Sequence, residues 1–311
     1  MSRSVVLLNR EHDTILSGLL LERRPHFASH GRRSRRSYRA ARFYRVQKGD
    51  TLSAVARRFD VGAVEIEAAN PAIARPRLAV GDVLTVPQWH ILPDAPRHGI
   101  VVNLAEMRLF DYAADGSVET FPIGVGREGR ETPQGATTIV LKRKNPTWRV
   151  PASIRAEDPR LPATVPPGPK NPLGRFALNL GWAGYAIHGA NAPSSIGKPV
   201  SHGCMRLYPE DIARLFATVD VGASVTVVDQ AFALGRGDDG HLYLQVLPDA
   251  GQARSIPRFE APAPADLDDP WLAPLRKALD VAESRGTAID TTVVDAVIAR
   301  HDGVPVDITR K

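Results

Sequence analysis

The sequence predicts a mainly β central domain with one short helix after its only cysteine, a small βααβ module before it and a partly helical extension after it. Three observations carry this reading. From Ile100 onward, apolar residues fall in short runs split by Gly, Asp and Pro, the pattern of strands and turns. Between Tyr44 and Val86, two strand-like runs enclose two helix-like ones. Beyond residue 230 helical stretches return, at Trp271–Glu283 and Thr292–Arg300, with Gly303 as a stop.

The first 42 residues read as a basic, disordered segment. Residues 1 to 45 hold eleven arginines against three acids, a net +8, so the total of +6 leaves −2 for the rest of the chain. A nucleic-acid binder should carry its basic patch on the folded part, so nucleic acid is not expected as a partner. No run of about 20 apolar residues is present to span a membrane. Nor is there a clean basic, apolar and small-residue leader.

The module at 43–88 starts with Tyr44-Arg45-Val46-Gln47 as a strand and Lys48-Gly49-Asp50-Thr51 as a turn. Thr51 or Ser53 is placed to cap a helix running to Phe59. A second helix is expected over Val61–Ala69, stopped at Asn70-Pro71, and a last strand over Val83–Pro87. Pro93 to Pro96 reads as a linker.

In the domain at 98–230, strands are expected at Ile100–Asn103, Met107–Tyr112, Val118–Ile123, Thr138–Leu141, Ala177–Leu180, Tyr185–His188 and Val225–Val228. Gly124, Gly126 and Gly129 do not make a phosphate loop, because Pro133 follows where a helix should start. Residues 145–175 contain eight prolines, a long irregular segment of the kind that serves function. Pro209 opens a helix whose Ile212, Leu215, Phe216 and Val219 form one apolar face.

Cys204 lies within Ser201-His202-Gly203-Cys204-Met205-Arg206, downstream of His188 at the end of the apolar run Tyr185-Ala186-Ile187. A lone cysteine with histidines in reach is a candidate nucleophile, and a small buried apolar residue is the alternative. A thiol of pKa about 8.5 needs a base or cation nearby to react at neutral pH. Gly203 lets the chain bend, so that successive N–H groups converge as an oxyanion hole. The histidines form no ligand cluster at zinc spacing, so neither metal nor cofactor is expected.

His188-Gly189 followed by Ser201-His202-Gly203-Cys204-Met205-Arg206 resembles the signature of the YkuD-type L,D-transpeptidases. The likeness extends from about Tyr44 to the C-terminus and is to the subgroup that attaches Braun's lipoprotein to peptidoglycan. Gly99-Ile100-Val101-Val102-Asn103, Pro122-Ile123-Gly124, Thr132-Pro133-Gln134-Gly135, Asn171-Pro172-Leu173-Gly174 and Gly303-Val304-Pro305-Val306 also resemble it. The resemblance implies a β-sandwich or barrel, with residues 145–175 as a substrate-side lid and 231–311 packed on the catalytic domain. It implies that Cys204 forms a thioester at diaminopimelate of a stem tetrapeptide, releasing D-alanine. His188 would be the base, oriented by the Gly189 carbonyl, and His202, Gly203 and Cys204 would supply oxyanion N–H groups.

Arg206, Ser201 and Asn171 complete the expected substrate-binding set. Arg206 is suited to a substrate carboxylate or to an internal salt bridge, and Ser201 also to holding the turn. The acyl acceptor implied is an amine, either a lysine of an envelope lipoprotein or outer-membrane protein or a second diaminopimelate. Transfer to water and a non-catalytic wall anchor are the competing readings. Residues 43–88 resemble a LysM module, through Tyr44-Arg45-Val46, Gly49-Asp50-Thr51-Leu52, Asn70-Pro71 and Gly81-Asp82. That likeness implies glycan binding near Gly49, Asp50, Thr51 and Asn70, or a spacer that has lost it. Peptidoglycan is the implied partner and the periplasm the implied location.

Overall fold

The structure, a computed structural model, describes residues 5–6, 18–19, 42–73, 78–248 and 270–310. The basic segment predicted at 1–42 lies almost wholly outside the described residues. The chain divides into two compact units, residues 1–95 with 230–311, and residues 96–229.

In the first unit, β1 (Arg42–Arg45) pairs antiparallel with β2 (Val83–Val86), and α1 (Leu52–Phe59) and α2 (Ala63–Ala68) lie between them in sequence. Val46, Val55, Phe59, Val61, Ile66, Leu84 and Val86 form their core. The second helix begins two residues later than predicted because Gly62 is extended, with φ −78° and ψ 152°. Its N–H donates to the Glu65 carboxylate at 2.8 Å, which caps the helix.

Three residues expected to bind glycan also hold this module together. The Thr51 hydroxyl accepts from the Ala54 N–H at 3.2 Å, as an N-cap. Asp50 accepts from the Tyr44 hydroxyl at 2.5 Å and the Gln47 N–H at 2.8 Å. Asn70 exchanges two 2.7 Å hydrogen bonds with the Thr85 backbone and gives a third to Ile66. Gly49, at φ 88° with open space beyond its Cα, serves the turn.

The C-terminal part of this unit is a hairpin of β13 (Phe232–Arg236) and β14 (Leu242–Val246), covered by α5 (Ala273–Ser284) and α6 (Thr291–Arg300). Leu242, Leu244, Val246, Leu275, Val297 and Ile308 are its core. Trp89 and Ile91 pack with Tyr243, and the Ile91 N–H donates to Gln245 at 3.1 Å. Residues 231–311 thus share a unit with the N-terminal residues. The apolar Trp89–Leu92 stretch, which has no periodicity to assign it, supplies the matching surface.

The second unit contains β3 (Gly99–Asn103), β4 (Arg108–Tyr112), β5 (Val118–Pro122), β6 (Val125–Gly126), β7 (Gly135–Lys144), β8 (Phe176–Leu180), β9 (Ala186–Gly189), β10 (Pro199–Ser201), β11 (Met205–Leu207) and β12 (Ser224–Val228). Eight of these form one sheet in the order β11-β9-β8-β7-β12-β3-β4-β5. Beyond the last strand, Gly124 exchanges backbone hydrogen bonds of 2.8 and 2.9 Å with Arg206 of the first. The sheet therefore bends round almost to a barrel. The helix after the cysteine, α4 (Pro209–Thr218), packs on β8 and β9. Ile212 and Leu215 are buried, each worth ~1.5–3 kcal/mol.

The proline-rich segment is an arm pinned at its base, where the Asn145 N–H donates to the Arg175 carbonyl at 2.7 Å. Above this, Trp148–Arg149 pairs with Thr164–Val165, and α3 (Ala152–Glu157) lies between them. Asn171, fully buried, gives its amide to the carbonyls of Pro146, Val165 and Pro166 at 2.8–3.2 Å and accepts from the Leu173 N–H at 2.9 Å. Its side chain, expected to bind substrate, here fastens the arm. Asn171→Ala would strand these groups away from water and should cost about 2–3 kcal/mol. The check is the urea midpoint, with faster hydrogen exchange over residues 145–175.

Candidate active site

Parallel pairing of β9 with β11 sets Ile187 against Met205 and His188 against Arg206. Alternation then divides the side chains. Ile187, Met205 and Leu207 are fully buried on the core face. His188 and Arg206 lie on the other face, where Cys204, one residue before the strand, joins them.

The His188 Nδ1 is 2.7 Å from the Gly189 carbonyl, which fixes Nδ1–H as donor and leaves Nε2 as the basic nitrogen. Burial is the main cause that lowers the His188 pKa to about 4, with Arg206 and Arg143 adding to it and the Gly189 carbonyl opposing. Burial also pushes the Cys204 thiol up, against opposing effects of the Ala186 backbone and the Arg206 cation. Burial thus favours the neutral form of both groups, and the Cys204 thiol donates to the Gly184 carbonyl at 3.6 Å. Arg206 is itself lowered by burial, its Nε is buried without a hydrogen-bond partner, and no carboxylate pairs with it. The internal salt bridge expected as one option for Arg206 is therefore absent among the described residues.

The turn before Cys204 is held from several sides. Ser201, 1% exposed, donates its hydroxyl proton to the Cys204 carbonyl at 2.6 Å and accepts from the Gly203 N–H at 3.1 Å. Ser201 thus holds the turn, one of the two roles expected of it, and the Gly203 N–H is engaged by its hydroxyl. Gly203 has φ +100°, and a Cβ there would lie 2.6 Å from the Tyr185 ring, so no other residue fits. Thr132 donates to the Gly203 carbonyl at 2.8 Å, and the Arg127 N–H to the Ser201 carbonyl at 3.0 Å.

The His202 side chain belongs to a different cluster. Its Nε2 lies 2.9 Å from the Glu157 carboxylate at the end of α3, which also binds Arg127 at 2.5 Å and Arg130 at 2.6 Å. Nε2 is also 3.1 Å from Arg127 Nη2. Both are donors, and the short approach follows from their sharing one carboxylate oxygen. Hydrogen bonds from His202, Arg130 and Arg127 hold the Glu157 pKa down at about 2. Glu157, Arg127, Arg130 and Thr132 are not among the site residues expected from the sequence, since they stand 27 to 74 residues from their partners at the turn and the arm.

This arrangement defines a class. A thiol, a tautomer-fixed imidazole and a guanidinium with no carboxylate partner among the described residues fall on one sheet face, residue types that can serve as nucleophile, base and anion-binding group. The YkuD family profile, described as the L,D-transpeptidase catalytic domain, matches residues 97–227, and the LysM domain profile matches residues 44–87. The chain belongs to the L,D-transpeptidase family and is an L,D-transpeptidase. It is 39% identical to the "Probable L,D-transpeptidase ErfK/SrfK" of Salmonella typhimurium, over 83% of this chain and 82% of that one. To the protein of the same name in Escherichia coli strain K12 it is 41% identical, over 74% and 73%. To that strain's "Probable L,D-transpeptidase YcfS" it is 36% identical, over 84% and 81%.

Two measurements check the electrostatics. Iodoacetamide alkylation of Cys204 should titrate with a midpoint above the ordinary thiol value of about 8.5, because burial opposes the thiolate. The Glu157 contacts should follow the opposite end of the scale. The folded pKa is about 2, below the unfolded value, so their stabilisation is complete above about pH 5 and lost as pH falls through 2. Hydrogen exchange over α3 should therefore stay slow at pH 4, and rise at that pH in Glu157→Gln.

Proposed function

We propose that Cys204 is the nucleophile of a two-step acyl transfer on peptidoglycan, with His188 as its base. The observation that carries this reading is the shared face of Cys204, His188 and an Arg206 without a carboxylate. A half-buried cation with no carboxylate partner among the described residues suits a substrate that brings one, as diaminopimelate and D-alanine both do.

In the first step the Cys204 sulfur bonds to the diaminopimelate carbonyl carbon while its proton passes to His188 Nε2. The carbonyl oxygen takes the negative charge, received by the N–H groups of Cys204 and His202. Collapse breaks the C–N bond, and the D-alanine nitrogen leaves with the proton from His188. In the second step an amine gives a proton to His188 and attacks the thioester carbon, and the thiol is restored. One amide is exchanged for another, so the reaction needs no energy-supplying cofactor.

The acceptor in this reading is a lysine of an envelope lipoprotein or outer-membrane protein, or a second diaminopimelate. The proline-rich arm, reaching His202 through Glu157, is its substrate-side lid. The LysM module holds the enzyme on the wall, and the site of action is the periplasm. No helix among the described residues is long and apolar enough to cross a membrane.

Intact mass spectrometry with a disaccharide tetrapeptide tests the donor step. A covalent adduct equal to substrate minus D-alanine is expected, absent in Cys204→Ala and formed ~10²–10⁴ more slowly in His188→Asn. Added amines or water then identify the acceptor. Glycan binding without any adduct would replace this reading with a non-catalytic anchor.

A further inference from the structure

The three successive peptide planes around Gly203 are held by two side-chain hydroxyls, those of Ser201 and Thr132. Ser201 fixes the plane before Gly203 through its N–H, and the plane after Cys204 through its carbonyl. The plane between them, Gly203 C=O with Cys204 N–H, is held at the Gly203 carbonyl by Thr132. The Thr132 hydroxyl already accepts the Gly126 N–H at 3.1 Å, so its single proton is aimed at Gly203. At 5% exposure, water cannot stand in for it.

In a planar trans peptide the N–H points opposite to the C=O. The bond from Thr132 therefore turns the Cys204 N–H away from the Thr132 side. Gly203 lacks the Cβ that restricts backbone rotation, so the plane needs an outside restraint. We propose that Thr132 is a positioning residue for the reaction: it sets the oxyanion-binding orientation of the Cys204 N–H by holding the Gly203 carbonyl. This rests on Cys204 acting as the acyl-transfer nucleophile.

The test separates thiol reactivity from oxyanion stabilisation in the full-length protein. Alkylation by iodoacetamide is a displacement at carbon that builds no oxyanion. Acylation by p-nitrophenyl acetate passes through one. Thr132→Val keeps the shape and removes the hydroxyl, and Thr132→Ser restores it. The expected result is a second-order acylation rate constant lowered by ~10²–10³ in Thr132→Val, the usual effect of losing one oxyanion donor. Its alkylation rate should stay within about twofold of wild type, and Thr132→Ser should recover most of the acylation.

Equal loss of both reactions, no loss of acylation, or no recovery by serine would overturn the proposal. Should Thr132→Val fail to fold, Thr132→Ala makes the same comparison. If neither folds, Thr132 is a structural residue only and the proposal is overturned. A wild-type thiol that alkylates but accepts no acyl group from ester or tetrapeptide would bring down the acyl-transfer reading, and this proposal with it. An acylated wild type with an unimpaired Thr132→Val would remove the Thr132 role alone.

Discussion

The parallel register of β9 and β11 is the constraint on which the site depends. Side chains along a strand alternate between faces, so a slip of one residue would send His188 into the core and expose Met205. The register is enforced from both sides. Antiparallel pairing of Ala177 with His188 fixes β9, and the bridge from Gly124 to Arg206 fixes β11. On the core face the fully buried Ile187, Met205 and Leu207 make any slip costly, since each lost burial is worth ~1.5–3 kcal/mol. Packing on one face thereby selects the chemistry on the other.

Two charge clusters meet at the cysteine turn and obey different physics. Around His188 and Cys204 burial dominates and favours the neutral form of both groups. Arg206 stands there as a partly desolvated cation without a counter-charge. The Glu157 cluster is more exposed, and hydrogen bonds outweigh desolvation in holding its carboxylate ionised. Exposed ion pairs of that kind contribute little to stability, so what the cluster fixes is the position of α3 relative to His202.

Much of this was legible in the sequence. Cys204 and His188 stand out because unusual residues sit in a fixed order at the ends of apolar runs, and the strands follow from alternation. The polar residues of the same motifs were harder to place. Ser201, Asn171, Asp50, Thr51 and Asn70 all look like ligand contacts in one dimension. Short polar side chains also suit backbone groups that regular structure leaves unpaired, and there these residues were found. Thr132 and Glu157 could not be linked to the turn, since no periodicity connects residue 132 with 203 or 157 with 202. The partnership of 89–92 with the C-terminal hairpin was hidden for the same reason.

The cysteine turn also had to be stabilised without the usual means. With one cysteine no disulfide can brace it, and at φ +100° Gly203 belongs to no regular strand or helix. What remains is side-chain oxygen atoms a single bond from Cβ, long enough to reach an adjacent peptide and too short to wander. Ser201 supplies one from within the turn, and Thr132 supplies the other from the 124–132 loop. That loop also carries Arg127 and Arg130, the partners of Glu157 on the proline-rich arm. The arm and the peptide after Gly203 are therefore attached to the same short stretch of chain. A movement of the arm that pulls on Arg127 and Arg130 acts on a loop whose other end, at Thr132, holds the Gly203 carbonyl.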